Sequence, residues 1–185
     1  MRFAYADPPY YGHGKRLYGE FHEQAADWDD KETHFMLIER LTDEYPDGWA
    51  LSCNPSDLEW LLPYIMVDVR VCAWVKSFHN LRQWLNIQYS WEPVILREGR
   101  IVKNRKPYLR DHLVCPIAMK KGLPGAKPDA FCDWILNLLG FDPTTDTFDD
   151  LFPGTGGISE AVNRSKRITT CDDPQQTFDW ERAPA

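Results

Sequence analysis

Asp7, Pro8, Pro9 and Tyr10 stand in a row directly after the apolar run Phe3–Ala6, and Tyr11 follows them. Proline has no amide hydrogen and a fixed φ, so the pair Pro8-Pro9 must end any strand that Phe3 begins. What remains at that strand end is a carboxylate, a rigid backbone carbonyl and an aromatic face. That is either a plain strand end or the makings of a site at the edge of a sheet.

A second stretch of chemical interest is "DLFPGTGGISEAV", which contains Asp150, Phe152, Gly154, Thr155, Gly156 and Gly157. It reads as a strand, a glycine turn and a helix start. In open α/β sheets, ligands bind outside the carboxyl ends of strands, where such turns lie. A glycine lets a ligand approach the backbone, and the helix start offers free amides. An acid about 20 positions further on suits ribose hydroxyls, and Asp172 and Asp173 occupy that place. The loop is neither GxGxxG nor a P-loop, since it lacks the P-loop lysine. Alone it fits an ordinary strand-to-helix turn as well as a nucleoside site.

The elements that must hold these residues alternate between strand and helix, which predicts an α/β fold: a Rossmann-like, mostly parallel sheet of about six or seven strands flanked by helices, in a single domain. Strands are predicted over Phe3–Asp7, Trp49–Asn54, Val67–Val75, Glu92–Arg97 and Thr147–Phe152, with a sixth through "RITTCDD" ending near Asp172. A polar loop spans Tyr11 to about Asp30, where His13 reads as a solvated turn residue. Helices are predicted over Lys31–Tyr45, from a capping box at Ser56–Glu59, and over Ile158 to about Asn163. The clearest helix carries Phe131, Trp134, Ile135, Leu138 and Leu139 on one face and stops at Gly140. Residues 1–97 thus form a half with the Asp-Pro-Pro-Tyr element. Residues 98–127 are a basic connection, and 128–185 form the half with the glycine loop.

The chain of 185 residues is 43% hydrophobic and 26% charged, as expected for one soluble globular domain. No apolar run approaches membrane-spanning length, and the strand at Phe3 leaves no room for a signal peptide. Five scattered cysteines without zinc-ligand spacing read as reduced and buried, so a cytoplasmic setting is expected. The net charge of −7 hides an asymmetry, because residues 70–127 carry 12 basic side chains against 3 acidic ones. Trp74, Phe78, Trp84, Tyr89, Trp91 and Tyr108 are interleaved with them. Cations with aromatics suit phosphates and bases, and a solvated rim around hydrophobic strands fits the same pattern.

Taken together, the two motifs resemble those of the S-adenosylmethionine-dependent amino-methyltransferases that modify adenine, in the permuted order. The resemblance matches Asp7, Pro8, Pro9 and Tyr10 to the catalytic acid-Pro-Pro-aromatic element, and Phe152, Gly154 and Gly156 to the FxGxG donor element. "KPDAFCDWILNLLG" is similar to the Lys-Pro segment that precedes the donor motif, and "SWEPVIL" to an aromatic-Glu-Pro strand of those enzymes. The resemblance implies methyl transfer to the N6 amine of adenine in DNA, with Asp7 and the Pro8 carbonyl accepting the amine hydrogens and Tyr10 stacking on the base. It implies S-adenosyl-L-methionine as cofactor, held by Lys127, Pro128, Asp150, Phe152, Gly154, Thr155, Gly156, Gly157, Asp172 and Asp173. Tyr11, Lys76, Arg100, Lys103, Arg105, Lys106 and Arg110 are the expected nucleic-acid contacts.

RNA adenine and cytosine N4 remain open as targets, as does a non-catalytic nucleic-acid-binding subunit. The short 98–127 segment leaves recognition to loose contacts, a homodimer or a separate subunit. A small enzyme of this kind suits a phage working in its host's cytoplasm. The whole reading requires Asp7 and the glycine loop to meet at neighbouring strand ends.

Overall fold

The computed structural model describes residues 1–170 apart from 21, 79–82, 84, 104–107 and 119–125, with 168–170 described for their backbone alone. The sheet has six strands: β1 (Arg2–Ala6), β2 (Trp49–Ser52), β3 (Arg70–Lys76), β4 (Trp91–Arg97), β5 (His112–Cys115) and β6 (Thr147–Asp150). Their order is β5-β3-β4-β2-β1-β6. Only β4 runs against the rest, pairing antiparallel with β2 and β3. The other pairs are parallel.

Alternation along the strands divides the core. Phe3 and Tyr5 of β1 and Val94 and Leu96 of β4 face helices α4 (Asp129–Leu139) and α5 (Gly157–Thr170). Ala4, Ala6, Leu51 and Ile95 face α2 (Lys31–Glu44), where Leu37, Ile38 and Leu41 are buried. Helix α4 follows its predicted periodicity and ends at Gly140, whose φ of 66° lies in the left-handed region.

Three sequence expectations change. The strand predicted through "RITTCDD" is not one as far as it is described, because Arg167–Thr170 continue α5. The β-branched residues there suggest a strand, but the helix is already anchored on α4 through Ile158, Ala161 and Val162. A sixth strand exists instead at β5, within the basic connection. The capping box at Ser56 is replaced by Asn54, whose side chain accepts from the Ser56 amide and starts a 3-10 turn at Pro55–Asp57, ahead of α3 (Leu58–Leu61). Asp172 and Asp173 lie outside the described residues.

Candidate functional site

β1 and β6 are neighbours in register, with Tyr5 opposite Asp150. The Leu151 amide donates to the Tyr5 carbonyl at 3.0 Å, extending the pairing past the strand end. Asp7 is two residues beyond Tyr5 and Phe152 two beyond Asp150, so both motifs emerge side by side at the carboxyl ends of parallel strands. β1 leads through α2 to β2 on one side, while α4 precedes β6 on the other. This is the kind of switch point at which open α/β sheets bind ligands.

The most concentrated chemistry lies at Asp7. Its Oδ2 meets Lys127 Nζ at 3.1 Å, and the same ammonium meets Glu92 Oε1 at 2.5 Å. Glu92 Oε2 takes Lys76 Nζ at 2.9 Å. The chain Asp7–Lys127–Glu92–Lys76 therefore alternates in charge. Lys127 and Glu92 side chains are only 8% and 9% exposed, whereas Asp7 keeps 21%. Trp74 sits beside both ammonium groups, 4.7 Å from Lys76 and 5.6 Å from Lys127, and Phe131 adds a second face at 5.5 Å. The Tyr10 hydroxyl donates to Asp7 Oδ1 at 3.4 Å and reaches Glu92 as well.

Burial raises the Asp7 carboxyl above its ordinary value; Lys127 opposes that rise and Glu92 adds to it. Glu92 is as deeply placed, but Lys127 and Lys76 more than offset its burial and hold it at about 2. For Lys127, burial favours the neutral amine, yet the attraction of Asp7 and Glu92 wins and the group is raised. Two acids of one site are thus driven apart: Glu92 stays ionised, and Asp7 is the one whose proton is negotiable.

The glycine loop has matching openness. Gly154 and Gly156 have φ of 47° and 81°. A β-carbon on Gly156 would meet nothing within 4 Å, and on Gly154 only the Phe152 carbonyl at 3.8 Å. Gly157 is the opposite case, since its β-carbon would meet Cys132 Sγ at 3.2 Å and the Lys127 carbonyl at 3.5 Å. That close approach seats the Lys127-Pro128 turn against the loop. Asp150 Oδ2 accepts from the Ser159 hydroxyl at 3.1 Å, while its buried Oδ1 makes no hydrogen bond of good geometry among the described residues, although the Phe152 and Ser159 amides act on the carboxyl and favour its charge. Burial raises this carboxyl. A buried acceptor beside an open glycine turn fits a ligand that brings hydrogen-bond donors.

Phe152 packs on Trp28 at 5.0 Å, edge to face. Trp28 meets His34, His34 meets Trp60, and Trp60 meets Tyr11. A run of rings thus connects the residue after Tyr10 to the glycine loop. Lys31 Nζ caps it, 5.5 Å over Tyr11 and 5.1 Å over Trp60.

The residues expected to touch nucleic acid scatter. Tyr11, 40% exposed, and Lys76 lie at the Asp7 end of the sheet. Arg100 does not: both its terminal nitrogens bond Asp146 at 2.8 Å, and it also bonds the Gly140 carbonyl at 3.2 Å. The expected phosphate contact is replaced there by a role in holding the fold, at the amino end of β1 where Met1 also meets Asp146 at 2.9 Å. Arg110 precedes β5 and so lies at that far end too, and Lys103 is exposed. Arg105 and Lys106 fall outside the described residues. Glu92 had no role assigned from sequence. The signal was an acid inside the apolar run "WEPVIL", which can be buried only with a partner.

Comparison with solved structures places this architecture beside known ones. The fold is similar to the crystal structure of the M1.HpyAVI-SAM complex, with a TM-score of 0.59 over 90% of this chain and 78% of that one, at 17% identity. It is similar also to the crystal structure of M1.HpyAVI, with a TM-score of 0.55 over 89% and 76% at 16% identity. No protein-family model and no curated protein matches the chain. The fold is shared. The expected α/β class therefore stands on both the topology and the likeness.

Proposed function

We propose that the protein transfers a methyl group from S-adenosyl-L-methionine to the exocyclic N6 amine of adenine in DNA. The observation that carries this is the adjacency of Asp7 and the glycine loop at the ends of β1 and β6, with Lys127 reaching from the loop's neighbour to Asp7. The likeness to a structure solved with SAM supports the choice of donor. When bound, the donor supplies an electrophilic methyl group on a sulfonium.

The residues present fit such a donor. Gly154 and Gly156 leave room for it along the backbone, Asp150 Oδ1 offers a buried acceptor, and the Lys127-Pro128 turn walls the near side. On the target side, Asp7 has two oxygens and about four lone-pair directions. Tyr10 and Lys127 use two of them, so the carboxylate can accept an amine N–H without releasing Lys127. The Pro8 carbonyl accepts the second N–H, and neither proline offers a competing donor. Both acceptors pull the amine toward a pyramidal nitrogen whose lone pair is free to attack. The assistance is positional and electrostatic. A base in a duplex must first rotate out of the stack.

The test is incubation with donor labelled in the methyl group, followed by nucleoside analysis of DNA and RNA substrates. Label in N6-methyladenine from DNA is the expected result. Label only in RNA or in N4-methylcytosine would change the target, and absence of label with intact donor binding would indicate a binding subunit. Asp7→Ala should abolish transfer while leaving donor affinity within a few-fold.

A further inference from the structure

Both carboxylate oxygens of Glu92 are taken by lysines, Oε1 by Lys127 at 2.5 Å and Oε2 by Lys76 at 2.9 Å. Strand pairing arranges the second contact. β3 and β4 are antiparallel with Trp74 opposite Glu92, so Lys76, two residues on, shares their face and meets Glu92 diagonally. The Lys76 amide donates to the Ser90 carbonyl at 2.7 Å, which fixes the strand end. Its ammonium lies 4.7 Å from the Trp74 ring, and only 21% of the side chain is exposed. Lys76 was expected to contact nucleic acid, yet its charge is committed to a carboxylate and an indole inside the site.

The chain Asp7–Lys127–Glu92–Lys76 therefore has a definite logic of charge. Lys127 donates to both acids, so Glu92 competes with Asp7 for one ammonium. Lys76 eases that competition by holding the other oxygen of Glu92. Without Lys76, two acids share one cation; without the Glu92 charge, one acid faces two. In a desolvated site such charges act beyond direct contact. The other titratable groups around Asp7 are Tyr5, Tyr10, Cys53 beyond β2, and Tyr18. Tyr18 ends α1 (Gly14–Tyr18), which forms with a 3-10 helix over Glu23–Asp29 where a polar loop was expected. Burial raises all four groups and keeps them neutral in acid. Lys127, Glu92 and Lys76 are thus the charges that govern Asp7 among the described residues.

We propose that Glu92 and Lys76 are positioning residues for methyl transfer that touch neither target nor donor: they hold the Lys127 ammonium against Asp7 and set how strongly Asp7 accepts the amine hydrogen. This rests on the reading of Asp7 as the acceptor for the target amine. An Asp7 bound to Lys127 with no competing acid is a weaker acceptor. One that competes with an uncompensated Glu92 takes up a proton instead. The second lysine keeps Asp7 between these limits.

The experiment titrates the Asp7 carboxyl by NMR in the full-length protein carrying isotope-labelled aspartate, with Asp7→Asn for assignment. Single-turnover transfer to DNA at saturating donor is followed over the same pH range. Lys76→Met keeps an unbranched stem beside Trp74 and removes the charge, so the Asp7 midpoint should rise by about half a unit to one unit. The acid limb of transfer should move with it. Glu92→Gln should shift both the other way, and Lys76→Arg should restore the wild-type values. KM for DNA and its salt dependence should be the same in Lys76→Met as in wild type. A midpoint that Lys76→Met leaves in place, or that both variants move in the same direction, overturns the proposal. So does a Lys76→Met protein whose KM rises with a flatter salt dependence, since Lys76 is then a phosphate contact. Should Glu92→Gln not fold, the two Lys76 variants decide alone. Wild-type protein that neither binds donor nor transfers label overturns the methyltransferase reading instead, while the titration still decides whether Lys76 and Glu92 govern Asp7.

Discussion

Lys127 and Glu92 meet at 2.5 Å, with less than a tenth of either side chain exposed. The lysine precedes α4, the glutamate lies on the antiparallel strand β4, and the same ammonium reaches Asp7 on the end of β1. One cation thus bridges two acids, the three groups coming from three elements, and Lys76 supplies the second positive charge at Glu92. Without it the site would hold two neighbouring carboxylates in a desolvated place, a costly arrangement.

Lys127→Met is therefore expected to destabilise the protein by about 3–5 kcal/mol, the cost of removing one partner from a buried pair. The methionine keeps most of the apolar contact with Trp74 and Phe131, so the loss reports charge rather than volume. Urea unfolding measures it as a lower midpoint at constant slope. A loss near zero would mean that water reaches both acids freely.

The pH dependence of transfer follows from the same group. The acceptor form of Asp7 is the carboxylate, and burial raises its pKa above the ordinary aspartate value. Lowering the pH protonates it, so single-turnover methyl transfer at saturating donor should fall through an acid limb centred above the ordinary aspartate range; saturation is needed because burial raises Asp150 beside the glycine loop as well. Lys127→Met removes the attraction that opposes the rise and should move the limb to higher pH. Glu92, held at about 2, stays ionised throughout. A limb below the ordinary aspartate range would refute this account of Asp7.

What the sequence could reveal was local. The β1 end at Asp7, the helix closing at Gly140 and the strand–glycine–helix unit at Phe152 each follow from a few adjacent residues, and all three form as expected. β5 was illegible because four residues, His112–Cys115, carry too little alternation, and only pairing with β3 makes them a strand. The charge-rich middle segment misled for a related reason. Residues close in sequence were read as one patch, yet β4 runs opposite to β3, so Lys76 and Arg100 end at opposite ends of the sheet. Lys127 was expected near the donor through the resemblance alone, and its bonds to Asp7 and Glu92 depend on partners 120 and 35 positions away. No spacing rule sees those.

Gly156 separates loop function from loop folding. Its φ of 81° favours glycine, yet a side chain there meets nothing within 4 Å. Gly156→Asp should therefore leave the cooperative unfolding transition in place, with a strain cost of about 1–2 kcal/mol. It should block donor binding, because bulk and negative charge enter the space beside Asp150. Calorimetry with S-adenosylmethionine reads the loss. Wild-type affinity in the variant would place the donor elsewhere.

His34 makes the aromatic run sensitive to acid. It is buried between Trp28 and Trp60, and its Nε2 lies 3.0 Å from the Trp28 carbonyl, an acceptor only, so Nε2 carries the hydrogen. Burial lowers its pKa below 6.5, against the Trp28 bond and the charges of Asp29 and Asp30, which favour the cation. In the unfolded chain the imidazole takes a proton near 6.5, so between that value and the lower folded one the unfolded state binds more protons. Stability supplied by neutral His34 is complete above 6.5 and is lost as the pH falls through this window. His34→Gln keeps a donor for the Trp28 carbonyl but cannot titrate. It should be less stable than wild type at pH 8, with a shallower decline between pH 6.5 and 5 in urea midpoints. Equal slopes in the two proteins would show that His34 takes up its proton without disturbing the rings.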